Sequence, residues 1–264
     1  MACITLLSDF GLQDASVAAA KGILMQHASR LPIVDVSHQV EPYHLQQAAY
    51  LLNSAYRNFP AGSFHIVLCN VFYDAAPKLL LCQKDGHYFL APDNGVLSLA
   101  FSGAYYSTWL CPALPANYTM RDWMKAAADM INKLGNGHNA KDMELVPCDM
   151  SNALVHWQPR LTGNTVECHV IHIDRYENVV INITREQFEA YSHGRPFRML
   201  FLRESISKIS NHYSDVPRDE MLCRFNSTGY LEIAINQGKA ASLLGLRLSK
   251  EQHLMYNAIK IIFE

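Results

Sequence analysis

Ile4-Thr5-Leu6-Leu7-Ser8 runs directly into Asp9-Phe10-Gly11-Leu12-Gln13-Asp14-Ala15-Ser16, and the fold turns on how this stretch is read. Its first five residues are a short apolar run of the length of a buried strand. Asp14 to about His27 reads as a helix. Outward from there, Ile33-Val34-Asp35-Val36 is a second strand, Tyr43 to Tyr56 a second helix and Phe64–Leu68 a third strand. Strands alternating with helices of this length predict a largely parallel sheet between helices. Leu79–Gln83 and Tyr88–Ala91 flank Lys84-Asp85-Gly86, whose Asp-Gly pair signals a hairpin. Arg121 to Leu134 predicts a helix stopped by Gly135.

From Gly135 to about Gly163 the chain is richer in Gly, Asn and Pro and has little periodicity, which marks a boundary. Beyond it Val166–Ile173, Val179–Ile183 and Tyr230–Ile235 read as strands with few helices between them. The expected architecture is an α/β N-terminal domain, residues 1–150, followed by a smaller mostly-β C-terminal domain, residues 160–264.

Composition narrows the function classes. Lys+Arg 22 against Asp+Glu 24 over 264 residues argues against a nucleic-acid backbone as partner, which needs a basic surface, and no Lys/Arg cluster suggests a local patch. At 50% hydrophobic and 17% charged residues the chain is neither disordered nor a coiled coil. Cys3, Cys69, Cys82, Cys111, Cys148, Cys168 and Cys223 are odd in number and form no CxxC, so reduced thiols are expected, with neither a disulfide framework nor a zinc site. His169 and His172, three apart on one expected strand, point to opposite faces, and no HExxH occurs; no metal is expected. Met1–Leu7 lacks a basic leader and is too short to span a membrane, so the expectation is a cytoplasmic protein without a membrane partner.

Ligands of open α/β sheets collect outside the carboxyl ends of the strands. Asp9 ends the first strand there, and a carboxylate at that place can take both hydroxyls of a ribose. Asp14 and Ser16 open the next helix, where they can hold a small zwitterion or simply cap the helix; spacing alone favours the caps. Asp9-Phe10-Gly11 also matches a kinase tripeptide, but it lies nine residues in, with no upstream lobe and no His-Arg-Asp loop, so that reading fails. Asp174-Arg175-Tyr176-Glu177-Asn178 joins two strands and reads equally as a tight turn. Asn226-Ser227-Thr228-Gly229 precedes an alternating strand and reads equally as a hairpin turn.

Taken together, in order and spacing, these pieces resemble the S-adenosylmethionine-cleaving adenosyltransferases, the family of adenosine-forming S-adenosylmethionine hydrolases and of fluorinases and chlorinases. The resemblance covers nearly the whole chain. It is carried by Thr5 to Asp14, Lys21-Gly22, Val34-Asp35-Val36-Ser37-His38, Pro92-Asp93-Asn94-Gly95, Ile173-Asp174-Arg175 and the long motif Asn226 to Ala234. The family implies a homotrimer with S-adenosylmethionine or adenosine held between subunits, and no cofactor. By resemblance Asp9 binds the ribose hydroxyls, and Tyr43 lies over the sugar. Asp14 and Ser16, with Ser227 and Thr228 of a neighbouring chain, hold the methionine amino and carboxylate groups. Asp174 takes the amine, Asn178 hydrogen-bonds adenine, and Tyr176 and Tyr213 stack beside the ring. The implied reaction is substitution at ribose C5′ with neutral methionine leaving.

The nucleophile half of the family pattern is altered. Hydrolase members carry an Asp-Pro-Gly-Val-Gly segment followed by Arg, and a His-Gly-Arg-Asp segment, whose Asp, Arg and His orient the attacking water. Here the Asp position is Asn70, the Arg position is Pro77 with Lys78 beside it, and the His position is Thr119 ahead of Arg121-Asp122. Asn70 and Thr119 can hydrogen-bond a water but cannot take its proton at neutral pH. Tyr73 and Asp74 lie in the same altered loop, and Glu177 stands where the family has glycine. The resemblance thus implies a hydrolase with a diverged water site. A binding protein without turnover is the alternative. A halide transferase ranks last, because Phe72-Tyr73-Asp74 is bulky where halide sites use small residues.

Overall fold

The computed structural model describes residues 1–28, 31–101, 106–115, 117–150, 158–201, 204–248 and 258–264. The chain divides into two compact units, Met1–Leu154 and Val155–Glu264.

The first unit is built on a seven-stranded sheet. Its strands are β1 (Ile4–Ser8), β2 (Ile33–Ser37), β3 (Phe64–Leu68), β4 (Leu79–Lys84), β5 (His87–Pro92), β6 (Ser107–Leu110) and β7 (Val146–Pro147), in the order β2-β1-β3-β5-β4-β6-β7. β2, β1, β3 and β5 run parallel, and β4, β6 and β7 extend the sheet antiparallel. Successive side chains of a strand face opposite ways. Ile66 and Leu68, Leu79 and Leu81, and Leu90 therefore face one layer of helices, which is α1 (Ser16–His27) and α4 (Met120–Gly135). Val67, Leu80, Cys82, Phe89 and Ala91 face the other layer, α2 (Leu45–Tyr56) and α3 (Val96–Ala100). Asp85 and Gly86 both have positive φ, 51° and 78°, the mirror-image turn that matches the twist of the β4–β5 hairpin.

Two helix starts fall later than the sequence suggests. Tyr43 has φ 66°, which no helical residue adopts, so α2 begins at Leu45 with His44 Nδ1 accepting the Gln47 N–H at 3.1 Å. Asp14 stands before α1, and its Oδ1 accepts the Ser16 N–H at 2.8 Å.

The second unit holds two antiparallel sheets. β8 (Arg160–Thr162), β9 (Thr165–Cys168), β12 (Phe197–Phe201), β13 (Glu204–Ile206) and β16 (Ile259–Phe263) form one, in the order β13-β12-β16-β9-β8. β10 (Val170–Ile173), β11 (Val179–Thr184), β14 (Met221–Phe225) and β15 (Tyr230–Ile235) form the other, in the order β10-β11-β15-β14. Val166–Ile173 is therefore not one strand. It breaks at His169, whose N–H donates to Asn182 Oδ1 at 2.8 Å and whose carbonyl accepts the Asn182 N–H at 3.0 Å. That bridge carries the chain from one sheet to the other, so His169 and His172 do not share a strand. Between the sheets lies an apolar core including Val166, Ile181, Met199, Leu231, Ile261 and Phe263. α5 (Arg185–Ser192) starts on a Thr184–Gln187 capping box and inserts Phe188 edge-on among Phe197, Phe225 and Phe263. α6 (Ala240–Leu244) follows β15.

Among the described residues, no helix is long and apolar enough to cross a membrane, and no group of three or more His, Cys, Asp and Glu side chains is arranged to hold a metal ion.

Candidate functional site

Asp9, His38, Asn70 and Asp93 follow β1, β2, β3 and β5, so the carboxyl edge of the parallel strands is lined by polar residues. Asp9 is the centre of this edge. Its Oδ2 accepts the Asn70 N–H at 2.9 Å and the Tyr43 N–H at 3.4 Å. Both donors sit in the left-handed region, Asn70 at φ 47° and Tyr43 at φ 66°. Asparagine tolerates that region; for tyrosine it is a strained conformation that costs about 1–2 kcal/mol. Two left-handed backbone conformations, one of them strained, thus aim their N–H groups at one carboxylate oxygen. Oδ1 is left without a partner among the described residues.

The segment carrying Asp9 is braced from behind. Ser8 Oγ lies 2.7 Å from His38 Nδ1, and the Gly11 N–H donates to the His38 carbonyl at 2.7 Å. His38 Nε2 is 3.1 Å from Asp35 Oδ1, and Lys21 Nζ is 2.6 Å from Asp35 Oδ2. The chain of contacts ties the ends of β1 and β2 to α1. Sequence reasoning found these residues only as signature positions; their contact follows from the pairing of β1 with β2. Beneath Asp9, burial first and the Asp9 charge second hold the Cys69 thiol well above its usual range, so no thiolate nucleophile forms there.

Asn94 fastens the neighbouring loop. Its Nδ2 donates to the carbonyls of Cys69 at 2.9 Å and Asn70 at 3.1 Å, and its Oδ1 accepts the Val96 N–H at 3.2 Å. At the loop's far end the Asp93 N–H donates to the Lys78 carbonyl at 3.0 Å. Between them Tyr73 is half-buried, its hydroxyl accepting the Lys78 N–H at 3.3 Å. Burial raises the Tyr73 phenol above its ordinary value, so it is a neutral hydrogen-bonding group. Asp74 stays on the surface, bonded to the Ala76 N–H at 3.0 Å, and Lys78 is exposed. Phe72 stacks on Tyr118 with ring centroids 5.4 Å apart.

Thr119 is committed elsewhere. It is the N-cap of α4, its Oγ1 donating to Asp122 Oδ2 at 2.7 Å and accepting the Asp122 N–H at 3.4 Å, while its own N–H meets the same carboxylate at 2.9 Å. Those contacts hold the Asp122 carboxyl below its usual range. A Thr-x-x-Asp capping box is a legible sequence signal. Starting the helix at Arg121 passes over it.

On the first unit, Asp14 and Ser16 lie at the start of α1, with Asp14 exposed and its carboxyl held below its ordinary value by the Ser16 N–H. Tyr43 is 76% exposed, so its ring is open to a ligand.

In the second unit, Asp174 to Asn178 form the β10–β11 turn. Asp174 Oδ1 accepts the N–H groups of Tyr176 and Asn178 at 2.8 and 2.9 Å, and Oδ2 accepts Asn178 Nδ2 at 3.0 Å. Tyr176 projects from the tip, 76% exposed. Tyr213 donates its hydroxyl to Glu232 Oε1 at 2.6 Å, and the Arg224 guanidinium covers its ring at 4.7 Å. Glu232 is 6% exposed, and burial raises its carboxyl. Asn226 Oδ1 gathers the Thr228 N–H, the Thr228 hydroxyl and the Tyr230 N–H at 3.0, 2.7 and 3.1 Å, with Ser227 exposed at the tip. The Asp174 and Asn226 turns occupy opposite ends of the β11–β15 ladder, because Val179 pairs with Ile233 and Thr184 with Tyr230. From Val179 to Thr184 is roughly 16 Å at strand rise.

The fold and the edge residues define an α/β protein with a carboxylate cradle at the carboxyl ends of its parallel strands, joined to an antiparallel β unit that presents two polar turns. The chain belongs to the SAM hydroxide adenosyltransferase family: the family's N-terminal domain matches residues 4–140 and its C-terminal domain residues 168–252. It is 24% identical over 273 residues, 96% of this chain and 95% of the relative, to the (R)-S-adenosyl-L-methionine hydrolase of Methanocaldococcus jannaschii. To the fluorinase of Actinopolyspora mzabensis it is 26% identical over 286 residues, 91% of each chain. A crystal structure of an uncharacterized conserved protein from Thermotoga maritima shares the fold, with a TM-score of 0.81 at 23% identity over 98% of this chain and 99% of that one.

Proposed function

We propose that the protein cleaves S-adenosylmethionine by substitution at the ribose C5′ carbon, with water or hydroxide as nucleophile, giving adenosine and methionine. The observation that carries this is the Asp9 cradle: a carboxylate fixed through one oxygen, its other oxygen without a partner among the described residues, at the carboxyl edge of the parallel strands where ligands of open α/β sheets collect. The oxygen of water bonds to C5′ as the C5′–S bond breaks. The electron pair goes to sulfur, which leaves as the neutral thioether of methionine, and a proton passes to solvent. A sulfonium is already a good leaving group, so the proposal needs no cofactor or metal. Holding water in line behind C5′ is worth on the order of 7–11 kcal/mol in favourable cases.

In this reading Asp9 binds the ribose, Tyr43 covers it, and Asp14 and Ser16 take the charged end of methionine with Ser227 and Thr228 of a second chain. On that second chain Asn178 reads adenine through its Oδ1, since its Nδ2 is bonded to Asp174, with Tyr176 and Tyr213 beside the ring. Asp174, whose carboxylate already accepts three N–H groups, shapes that turn, and Asp14 takes the amine. Asn70 and Tyr73 contact the water, with Lys78 beside them. A homotrimer in the cytoplasm belongs to the same proposal; sedimentation equilibrium tests the trimer.

The Thr119 capping box favours a second reading, ligand binding without turnover, because that residue's hydroxyl already serves the helix. A chromatographic time course with both sulfonium epimers, at protein concentrations near that of the ligand, separates the two. Adenosine and methionine appearing together support hydrolysis. Intact ligand beyond spontaneous decay, with binding measured by calorimetry, leaves the second reading, and absence of binding removes both.

A further inference from the structure

Glu177 occupies the fourth position of the Asp174–Asn178 turn with φ 64°, a conformation natural to glycine and strained for glutamate. Its N–H donates to the Asp174 carbonyl at 3.0 Å, as a turn requires. What is unusual is where its other groups go. The Glu177 carbonyl accepts the Ala241 N–H at 2.9 Å. Its Oε2 accepts the Ser242 N–H at 3.0 Å, and its Oε1 meets Lys239 Nζ at 2.8 Å. One residue thus grips the first turn of α6 through its backbone and both carboxylate oxygens. A glycine here would relieve the strain, keep the turn and keep the Ala241 contact, but would lose the two side-chain contacts.

We propose that Glu177 is a positioning residue that tethers the Asp174–Asn178 turn to α6 and so fixes Asn178 for a purine nucleoside. The proposal rests on the reading of Asn178 as the adenine contact. Asn178 is 6% exposed and directly follows Glu177, so any rotation of the turn is passed to its side chain. The contact with Lys239, followed by the Ser242 side chain and, more weakly, the Ser242 N–H, lowers the Glu177 carboxyl to about 2, so the tether stays charged across the working pH range. The loop closed by this tether is polar at its tip and carries no apolar anchor of its own: Arg175 and Tyr176 are exposed. Order in the turn therefore comes from Asp174 within and Glu177 without.

The test compares Glu177→Gly with the unaltered protein by calorimetry against adenosine and against S-adenosylmethionine, with thermal melting alongside. The variant should melt at the same temperature or higher, because glycine prefers positive φ, yet bind both ligands about tenfold more weakly, the equivalent of about 1.4 kcal/mol. Lys239→Met should weaken both in the same direction by less. Amide exchange at Glu177 and Asn178 should quicken in Glu177→Gly without any ligand. Unchanged affinity for both ligands with unchanged exchange overturns the proposal. So does a loss confined to S-adenosylmethionine, which would place the effect at the amino-acid end. If the unaltered protein binds neither ligand, the proposed function fails; quickened exchange in Glu177→Gly would then show the tether alone, without a purine to position.

Discussion

Two carboxylates, Asp9 and Asp174, each accept a pair of backbone N–H groups, yet they are held in opposite ways. The donors to Asp9 lie 34 and 61 residues away, in Tyr43 and Asn70. Those to Asp174 lie 2 and 4 residues on, in its own turn. Asp9 is therefore positioned by the assembled sheet and has one oxygen without a partner among the described residues, whereas Asp174 organises a loop and uses both oxygens doing so. Long-range donors mark a carboxylate that the fold presents, and short-range donors mark one that the fold consumes. The same contrast holds between Asn70, whose backbone reaches Asp9 while its side chain has no hydrogen-bond partner among the described residues, and Thr119, whose hydroxyl closes its own helix.

The sharpest break of that comparison comes from Asp9. Asp9→Asn keeps an acceptor for the Tyr43 and Asn70 N–H groups and should leave the melting temperature nearly unchanged. Affinity for adenosine and S-adenosylmethionine should fall on the order of 100-fold by calorimetry, because a charge-assisted bond to the ribose is lost. Asp174→Ala should show the reverse weighting. Its three lost hydrogen bonds are local, so stability should drop by about 1–2 kcal/mol in a denaturant melt, with adenosine affinity falling about tenfold. Equal losses of affinity from the two changes would mean that Asp174, too, touches the ligand.

Asn70→Asp probes the proposed water side. Aspartate tolerates φ 47° nearly as well as asparagine, and the Asn70 N–H to Asp9 comes from the backbone and survives. A carboxylate there can take a proton, so single-turnover adenosine formation should speed up, by about tenfold if the gain is at the lower edge of general-base effects. No gain in rate would place the water against Tyr73 instead.

Much of the fold was legible because period and length agree. Ile4–Ser8, Phe64–Leu68 and Tyr230–Ile235 are apolar runs bounded by polar turns, and each is a strand over those residues. Val166–Ile173 was not legible as two strands, since Val-Glu-Cys-His-Val-Ile-His-Ile contains neither Gly nor Pro; its break is made by Asn182, 13 residues away. Tyr43 reads as the first residue of a helix until Asp9, far off in sequence, draws its N–H into a left-handed bend. For the candidate site, position along the chain finds Asp9 and the two turns of the second unit. It does not find their opposite placement along β11, which depends on antiparallel pairing with β15. Nor does spacing find the Ser8–His38–Asp35–Lys21 brace, whose members meet only once β1 and β2 lie side by side.

The smallest effect belongs to Thr119, and it decides whether that residue does more than cap α4. If the residue is only a cap, Thr119→Ala removes one acceptor for the first turn of α4 and costs about 1 kcal/mol of stability. The rate of adenosine formation should then be the same as in the unaltered protein once both are fully folded, because nothing at C5′ has changed. Thr119→Ser keeps the capping hydroxyl and should restore stability. A fall in rate with Thr119→Ala that Thr119→Ser rescues, at temperatures well below either melt, would show that the hydroxyl also reaches the water. Thr119 would then stand with Asn70 as a group that the fold presents, and the contrast between held and consumed side chains would end at Asp174.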